Sequence, residues 1–192
     1  MSTLIIGLVG QAGCGKGTMA DFLQAEYGAG YFRFSAMIGD ILNRLAIEKT
    51  RENFTAMSNT LRQAFGEDVF SYAIERDALN APQTITVIDG IRRVEDIVAL
   101  EPLPLFKLVA IDADPKLRYE RMKARGEKAS ERNFTWEQFL AEEQLATEIT
   151  IPFVMKRAWK TLTNNGTREE LEDKVRALMT ELDQIPQTQR PL

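Results

Sequence analysis

Short apolar runs recur along the chain, and between them apolar residues return every third or fourth position. Leu4 to Val9, Tyr31-Phe32-Arg33-Phe34, Thr84 to Ile88, Phe106 to Ile111 and Trp159 to Thr163 have strand length. The helical spacing predicts a helix ending at Tyr27, then helices over residues 36–47, Asn53 to Phe65 and Val69 to Leu79. Ser35 is placed to cap the second of these, and Gly66 to stop the third. Asp114 and Pro115 open a helix through Arg125, with proline at its favoured first position. Thr135 and Gln138 form a capping-box start for a helix to about Ile149, and Thr167 to Glu170 begin a last helix to about Asp183. Strand patterns alternating with helical ones predict an α/β fold: five parallel strands in one sheet, helices on both faces, three layers in all.

Three helices between the second and third strands exceed an ordinary crossover, so residues 35–80 read as an insertion. Residues 126–134 are polar and charged, the composition of a mobile loop. The 192 residues suit a single domain spanning 1–192 that includes both segments. No repeat or low-complexity tract interrupts it.

One loop carries the chemistry. Gly10-Gln11-Ala12-Gly13-Cys14-Gly15-Lys16-Gly17-Thr18 follows an apolar strand and precedes a helix, the context in which G-x-x-x-x-G-K binds a nucleotide. Its glycines let N–H groups crowd a polyphosphate, and the helix N-terminus adds its positive end. Lys16 supplies a charge to the β- and γ-phosphates and Thr18 a hydroxyl near the metal. The strict pattern has Ser or Thr directly after the lysine; here Gly17 takes that place. The run Gly-Lys-Gly-Thr resembles the loop of adenylate kinase and other nucleoside monophosphate kinases. That resemblance implies a P-loop fold with ATP as the nucleotide, and contact between Thr18 and Mg²⁺ through water.

Composition narrows the chemistry further. With 24 basic and 28 acidic residues the net charge is −4, which argues against a nucleic-acid partner. The apolar runs are strand-sized and the N-terminus lacks a signal pattern, so a cytoplasmic protein without a membrane span is expected. A lone cysteine, Cys14, excludes an internal disulfide and reads as a small filler in the loop. The chain has no histidine, so imidazole bases are excluded and a metal needs oxygen ligands, as Mg²⁺ prefers.

Asp89, after the third strand, emerges beside the phosphate loop and is the candidate to hold Mg²⁺ or its waters. Arg92 and Arg93 stand next to it, where phosphoryl transfer crowds negative charge. Adenylate kinase has Asp-Gly-Phe-Pro-Arg here, which matches Arg93 to its acceptor-phosphate arginine; related small kinases match Arg92 instead. Arg118, Arg121 and Arg125 share one helix face pointing to the loop 126–134, which contains Arg132. The same resemblance implies that Arg121 and Arg125 embrace the ATP phosphates when a small lid, residues 126–134, closes, and Asn165 and Gly166 count with the nucleotide-contacting residues.

In the insertion, Ser35-Ala36-Met37-Ile38-Gly39-Asp40 is similar to the Ser/Thr-x-Gly-Asp opening of the acceptor helix in those kinases. Their arginine three residues after the aspartate is replaced by Asn43, with Arg44 following. The segments around Arg51 and Arg62 look like phage-type deoxynucleoside monophosphate kinases, which makes both arginines candidates for an acceptor phosphate. The expected activity is transfer of the γ-phosphoryl of ATP-Mg²⁺ to a small phosphorylated acceptor, a (deoxy)nucleoside monophosphate. Lys16, Arg92 or Arg93, Arg121 and Arg125 would supply positioning and charge neutralisation. Three alternatives stay open. The first resembles dephospho-CoA kinase, with a hydroxyl acceptor and Asp40 as base. The second is a nucleotide-dependent ATPase or switch, although Gly90 follows Asp89 where AAA-type motors carry an acid. The third is a polynucleotide end-kinase, which the acidic balance disfavours.

Overall fold

The central strands are apolar on both faces because helices cover both. In the computed structural model, which describes residues 4–125 and 135–184, β1 (Leu4–Val9) sends Ile6 and Leu8 to one side and Ile5 and Val9 to the other. The remaining strands are β2 (Gly30–Arg33), β3 (Ile85–Ile91), β4 (Phe106–Asp112) and β5 (Lys160–Thr163). They lie in the order β2-β3-β1-β4-β5, each neighbouring pair parallel. Parallel neighbours require a crossover over one face, and the helices supply it. These are α1 (Lys16–Tyr27), α2 (Phe34–Arg44), α3 (Arg51–Phe65), α4 (Val69–Leu79), α5 (Pro115–Arg125), α6 (Trp136–Glu143), α7 (Ile151–Met155) and α8 (Arg168–Asp183).

Two apolar layers result. On one face, Met19, Phe22 and Leu23 of α1 and Val175 and Leu178 of α8 pack on Ile6, Leu8, Val109 and Ile111. On the other, α2, α4 and α7 bring Ile38, Leu42, Ile74 and Val154 onto Ile5, Val9, Ile88 and Leu108. Each fully buried aliphatic side chain here contributes about 1.5–3 kcal/mol relative to exposure. A smaller apolar cluster joins α5 to α6 through Tyr119, Met122, Trp136 and Phe139.

The strands and most helices lie where the periodicity predicts them, with α1 ending at Tyr27 and the three helices of the insertion in order. Four local differences have physical causes. Ser35 does not cap α2: the helix starts at Phe34, whose ring is buried against the sheet, and its N-cap is Arg33 in extended conformation. Thr50 rather than the region of Asn53 opens α3, because its side chain accepts from the Asn53 N–H. Strand β3 runs on past Ile88, with Asp89 inside it and an irregularity at Gly90 that lets Ile91 pair with Val9. The helix expected to reach Ile149 ends at Glu143, and α7 begins separately with proline in its first turn. Thr150-Ile151-Pro152 is the sequence signal for that second start. The expected lid at 126–134, with Arg132, lies outside the described residues, as does the chain beyond 184.

Candidate active site

Strand β1 ends in the middle of the sheet and α1 begins at Lys16, so residues 10–15 cross between them at the strands' C-terminal edge. Two glycines make that path possible. Gly13 (φ 77°) lies so close to α5 that a Cβ would sit 2.6 Å from the Arg118 carbonyl oxygen. Gly15 (φ 112°) is the N-cap of α1, and a Cβ there would meet Asn164 Nδ2 at 2.3 Å. Because the cap has no side chain, α1 starts without a side-chain cap and with no acid in its first turn. The N–H groups of Lys16, Gly17 and Thr18 have no carbonyl one turn back, and the helix dipole adds positive potential there. Lys16 curls over the loop, donating from Nζ to Gly10 O (2.5 Å) and Gln11 O (3.1 Å) and lying 3.7 Å from Cys14 Sγ. The Cys14 side chain is buried in the core under α1, consistent with a packing role. Gly17 is exposed, with no neighbour within 4 Å of a Cβ among the described residues, so its side-chain-free position leaves Thr18 as the first hydroxyl after the lysine.

Next to β1, strand β3 presents Asp89, which is buried. Its Oδ2 accepts a hydrogen bond from Tyr31 Oη (2.8 Å), its Oδ1 accepts from the Gly90 N–H (2.7 Å), and Arg33 Nε lies 3.8 Å away. Burial, reinforced by the Asp89 charge and hydrogen bond, pushes the Tyr31 hydroxyl above the ordinary tyrosine range. It therefore stays a donor that orients the carboxylate. Among the described residues, no three His, Cys, Asp or Glu side chains gather into a metal cage. One oriented carboxylate with spare lone pairs fits an ion that arrives with a nucleotide and keeps phosphate oxygens and waters as ligands, as Mg²⁺ does. Asp89 and the Thr18 hydroxyl are the residues that would hold it.

Beyond Asp89 the chain turns through Arg92 and Arg93, and a buried carboxylate holds the turn. Asp96 Oδ2 accepts both the Arg92 N–H (2.9 Å) and the Arg93 N–H (3.0 Å). Its Oδ1 accepts from Arg62 Nη2 at 2.6 Å, the Arg62 guanidinium lying 4.9 Å over the Phe70 ring. The structure thus directs Arg62 away from an acceptor phosphate: it is buried, and it neutralises Asp96 and donates to Glu67 O. The two neighbouring arginines do reach outward. Arg92 Nη1 pairs with Glu148 Oε1 at 2.9 Å, and Arg93 Nη1 pairs with the exposed Glu67 Oε2 at 3.0 Å. Arg93 also lines a cleft of about 540 Å³ with Glu67, Glu95, Thr150 and Phe153.

The three arginines of α5 part company. Arg118 is buried beneath α6, donating to Ala113 O, Ala12 O and Glu143 Oε1. Arg121 donates to Asn164 O (2.9 Å) and Gly166 O (3.0 Å), which draws it to the loop after β5. That loop also carries Asn165, whose Oδ1 accepts from the Asp114 N–H, so Arg121, Asn165 and Gly166 do form one group. Arg125 is exposed in the last turn of α5. Asn164 is buried and donates from Nδ2 to Cys14 O (2.8 Å), tying this loop to the phosphate loop. In the insertion, Ser35, Asp40 and Arg44 are exposed on α2, and Arg51 Nη1 lies 3.9 Å from Glu142 Oε1. Tyr31, Asp96, Glu143, Glu148 and Asn164 escaped sequence reasoning. Each is an ordinary strand, helix or turn residue by local pattern.

A family model described as an AAA domain matches residues 6–146, which run from β1 to just past α6 and contain the loop, Asp89 and both arginines. A UPF0200 protein of Thermococcus kodakarensis is 33% identical over 157 residues, 77% of this chain and 84% of the relative. One from Thermococcus gammatolerans is 30% identical over 188 residues, 93% of this chain and 95% of its own. Among solved structures, a protein of Thermus thermophilus superposes with a TM-score of 0.63 at 19% identity, over 97% of this chain and 100% of its own. The shikimate kinase of Acinetobacter baumannii, solved in complex with shikimate, gives 0.54 at 18% identity, over 96% of each chain. The last two likenesses establish a shared fold, the five-stranded parallel sheet with helices of the P-loop kinases.

Proposed function

The chain belongs to the AAA-domain family and to the UPF0200 proteins, and on that premise we propose that it is an ATP-dependent small-molecule kinase. It moves the γ-phosphoryl of ATP to a (deoxy)nucleoside monophosphate. The observation that carries this reading is the opening of α1: an N-terminus with neither a capping side chain nor an acid, and Lys16 folded over it. Such a site attracts a polyphosphate. Just past the end of the neighbouring strand, Asp96 fixes the main-chain amides of Arg92 and Arg93, so an anionic acceptor meets cations where donor and acceptor charges converge.

In this mechanism residues 10–18 bind the ATP phosphates and Lys16 follows the charge that develops between the β- and γ-positions. Arg121 and Arg125 meet the ATP phosphates, with Asn165 and Gly166 beside them in contact with the nucleotide. Asp89 and Thr18 would hold the Mg²⁺ that comes with ATP, which would supply charge neutralisation at the phosphates. Arg92 and Arg93 hold the acceptor phosphate, with Ser35, Asp40, Arg44 and Arg51 of the 35–80 insertion around the rest of the acceptor. A phosphate acceptor is already anionic and needs no general base, which suits a chain without histidine.

A hydroxyl acceptor is the second reading, favoured by the exposed Asp40 carboxylate on α2, a base for that chemistry. ATP consumption against nucleoside and deoxynucleoside monophosphates, dephospho-CoA, shikimate and no acceptor separates the readings. Turnover with a monophosphate supports the proposal. Turnover only with hydroxyl acceptors moves it to the second reading, and equal hydrolysis without any acceptor leaves an ATPase.

A further inference from the structure

Two consecutive residues at the tip of the phosphate loop are held from outside by one pair of side chains. Glu143, the last residue of α6, accepts a hydrogen bond at Oε1 from Gln11 Nε2 (2.8 Å) and from Arg118 Nη1 (2.5 Å). Arg118 Nη1 also donates to Ala12 O at 3.3 Å, and the Arg118 main chain lies against Gly13. The pair cannot drift. Arg118 is 2% exposed and its guanidinium lies 5.2 Å over the Phe139 ring. Phe139 in turn stacks on Trp136 and meets Tyr119 edge-on, so α5 and α6 form one packed unit.

We propose that Glu143 is a positioning residue for nucleotide binding: from α6 it holds Gln11 directly, and Ala12 through Arg118. It thereby keeps the loop's N–H groups converging on the phosphates. The inference rests on the reading that this loop binds ATP. A flexible loop of glycines has many conformations, and only those with converging donors bind a polyphosphate. An external brace removes the others before the ligand arrives, so the ordering cost is not charged to binding. Charge-assisted bonds are suited to the task, being stronger than neutral ones and directional. A carboxylate so close to a phosphate site would by itself repel the ligand. Here Arg118 cancels its charge, which explains why the brace is an ion pair.

The test measures ADP affinity by titration calorimetry alongside thermal unfolding. Gln11→Ala cuts the brace at the loop while leaving the Arg118–Glu143 pair intact. Its expected result is ADP binding roughly 10-fold weaker at an unchanged melting temperature, the scale of one hydrogen bond to a charged group. Glu143→Gln should weaken ADP similarly. Should Glu143→Gln fold poorly because Arg118 is left as an unpaired buried charge, the paired variant R118M/E143Q removes both and is read in its place. Hydrogen exchange of the amides of residues 11–15 should quicken in each variant without ligand, a change that loss of global stability does not confine to this loop. Wild-type ADP affinity in a folded Gln11→Ala and in the Glu143 variant overturns the proposal. Absence of ADP and ATP binding in the unaltered protein overturns instead the reading on which it rests.

Discussion

Asp96→Ala should be among the most damaging single substitutions outside the apolar core, and its cost can be worked from three contacts. The carboxylate is 3% exposed and the Arg62 side chain 8%, at 2.6 Å. Removing one partner of a buried pair costs about 3–5 kcal/mol, because the other charge stays buried without compensation. Arg62 is poorly placed to find another, since its Nε is already buried with no hydrogen-bond partner among the described residues. The Arg92 and Arg93 amides also lose their acceptor, but that turn is near the surface and water replaces most of it. The total is therefore about 3–5 kcal/mol, or roughly 6–20 °C in melting temperature for a chain of this size. Arg62→Met should cost less, because Asp96 keeps two amide donors. The double variant should fall well short of the sum, with a coupling of about 2–3 kcal/mol. Urea unfolding of the four proteins, followed by tryptophan fluorescence, measures all of this. A loss below about 1 kcal/mol for Asp96→Ala at unchanged slope, or simple additivity in the double variant, would refute the reasoning.

Lys16→Ala should lower turnover by about 10²–10³ with little change in stability, since among the described residues the ammonium touches only loop carbonyls and a thiol; a steady-state assay with a melting curve reads both. Gly13→Ala should disrupt the loop, its Cβ being driven onto the Arg118 carbonyl at a positive φ, whereas Gly17→Ala meets nothing among the described residues. ADP titration of the two variants should separate them, and equal behaviour would remove the steric account. Glu148→Gln frees Arg92 from its carboxylate, so inorganic phosphate should bind about 2–5-fold more tightly, the scale of a partly exposed ion pair; no gain in calorimetry counts against Arg92 as the acceptor arginine. Tyr31 has a raised folded value, so its contribution to stability is complete below its ordinary value of 10.0 and is lost as pH rises beyond it. Tyr31→Phe should flatten that alkaline fall in urea melts from about pH 9 to 11, and parallel curves would contradict it.

Interactions between near neighbours in the chain settle one part of this protein. A continuous apolar run of six residues makes β1, and three- and four-residue spacing makes α1 and α8, because each pattern acts between near neighbours along the backbone. The phosphate loop was legible for the same reason: its glycines, lysine and hydroxyl are contiguous, and strand and helix adjoin it. The fates of the arginines were settled by residues far along the chain. Helical spacing lays Arg118, Arg121 and Arg125 on one face, yet Glu143, 25 residues on, covers the first, and the carbonyls of Asn164 and Gly166 take the second. Arg62 looked like an acceptor contact until Asp96, 34 residues away, claimed it in the interior. Asn164, a turn former by pattern, reaches Cys14 across 150 residues and closes the loop from behind. A cation's role follows from which oxygen is nearest and how much water is excluded. Both are properties of packing between elements, and no local period encodes them.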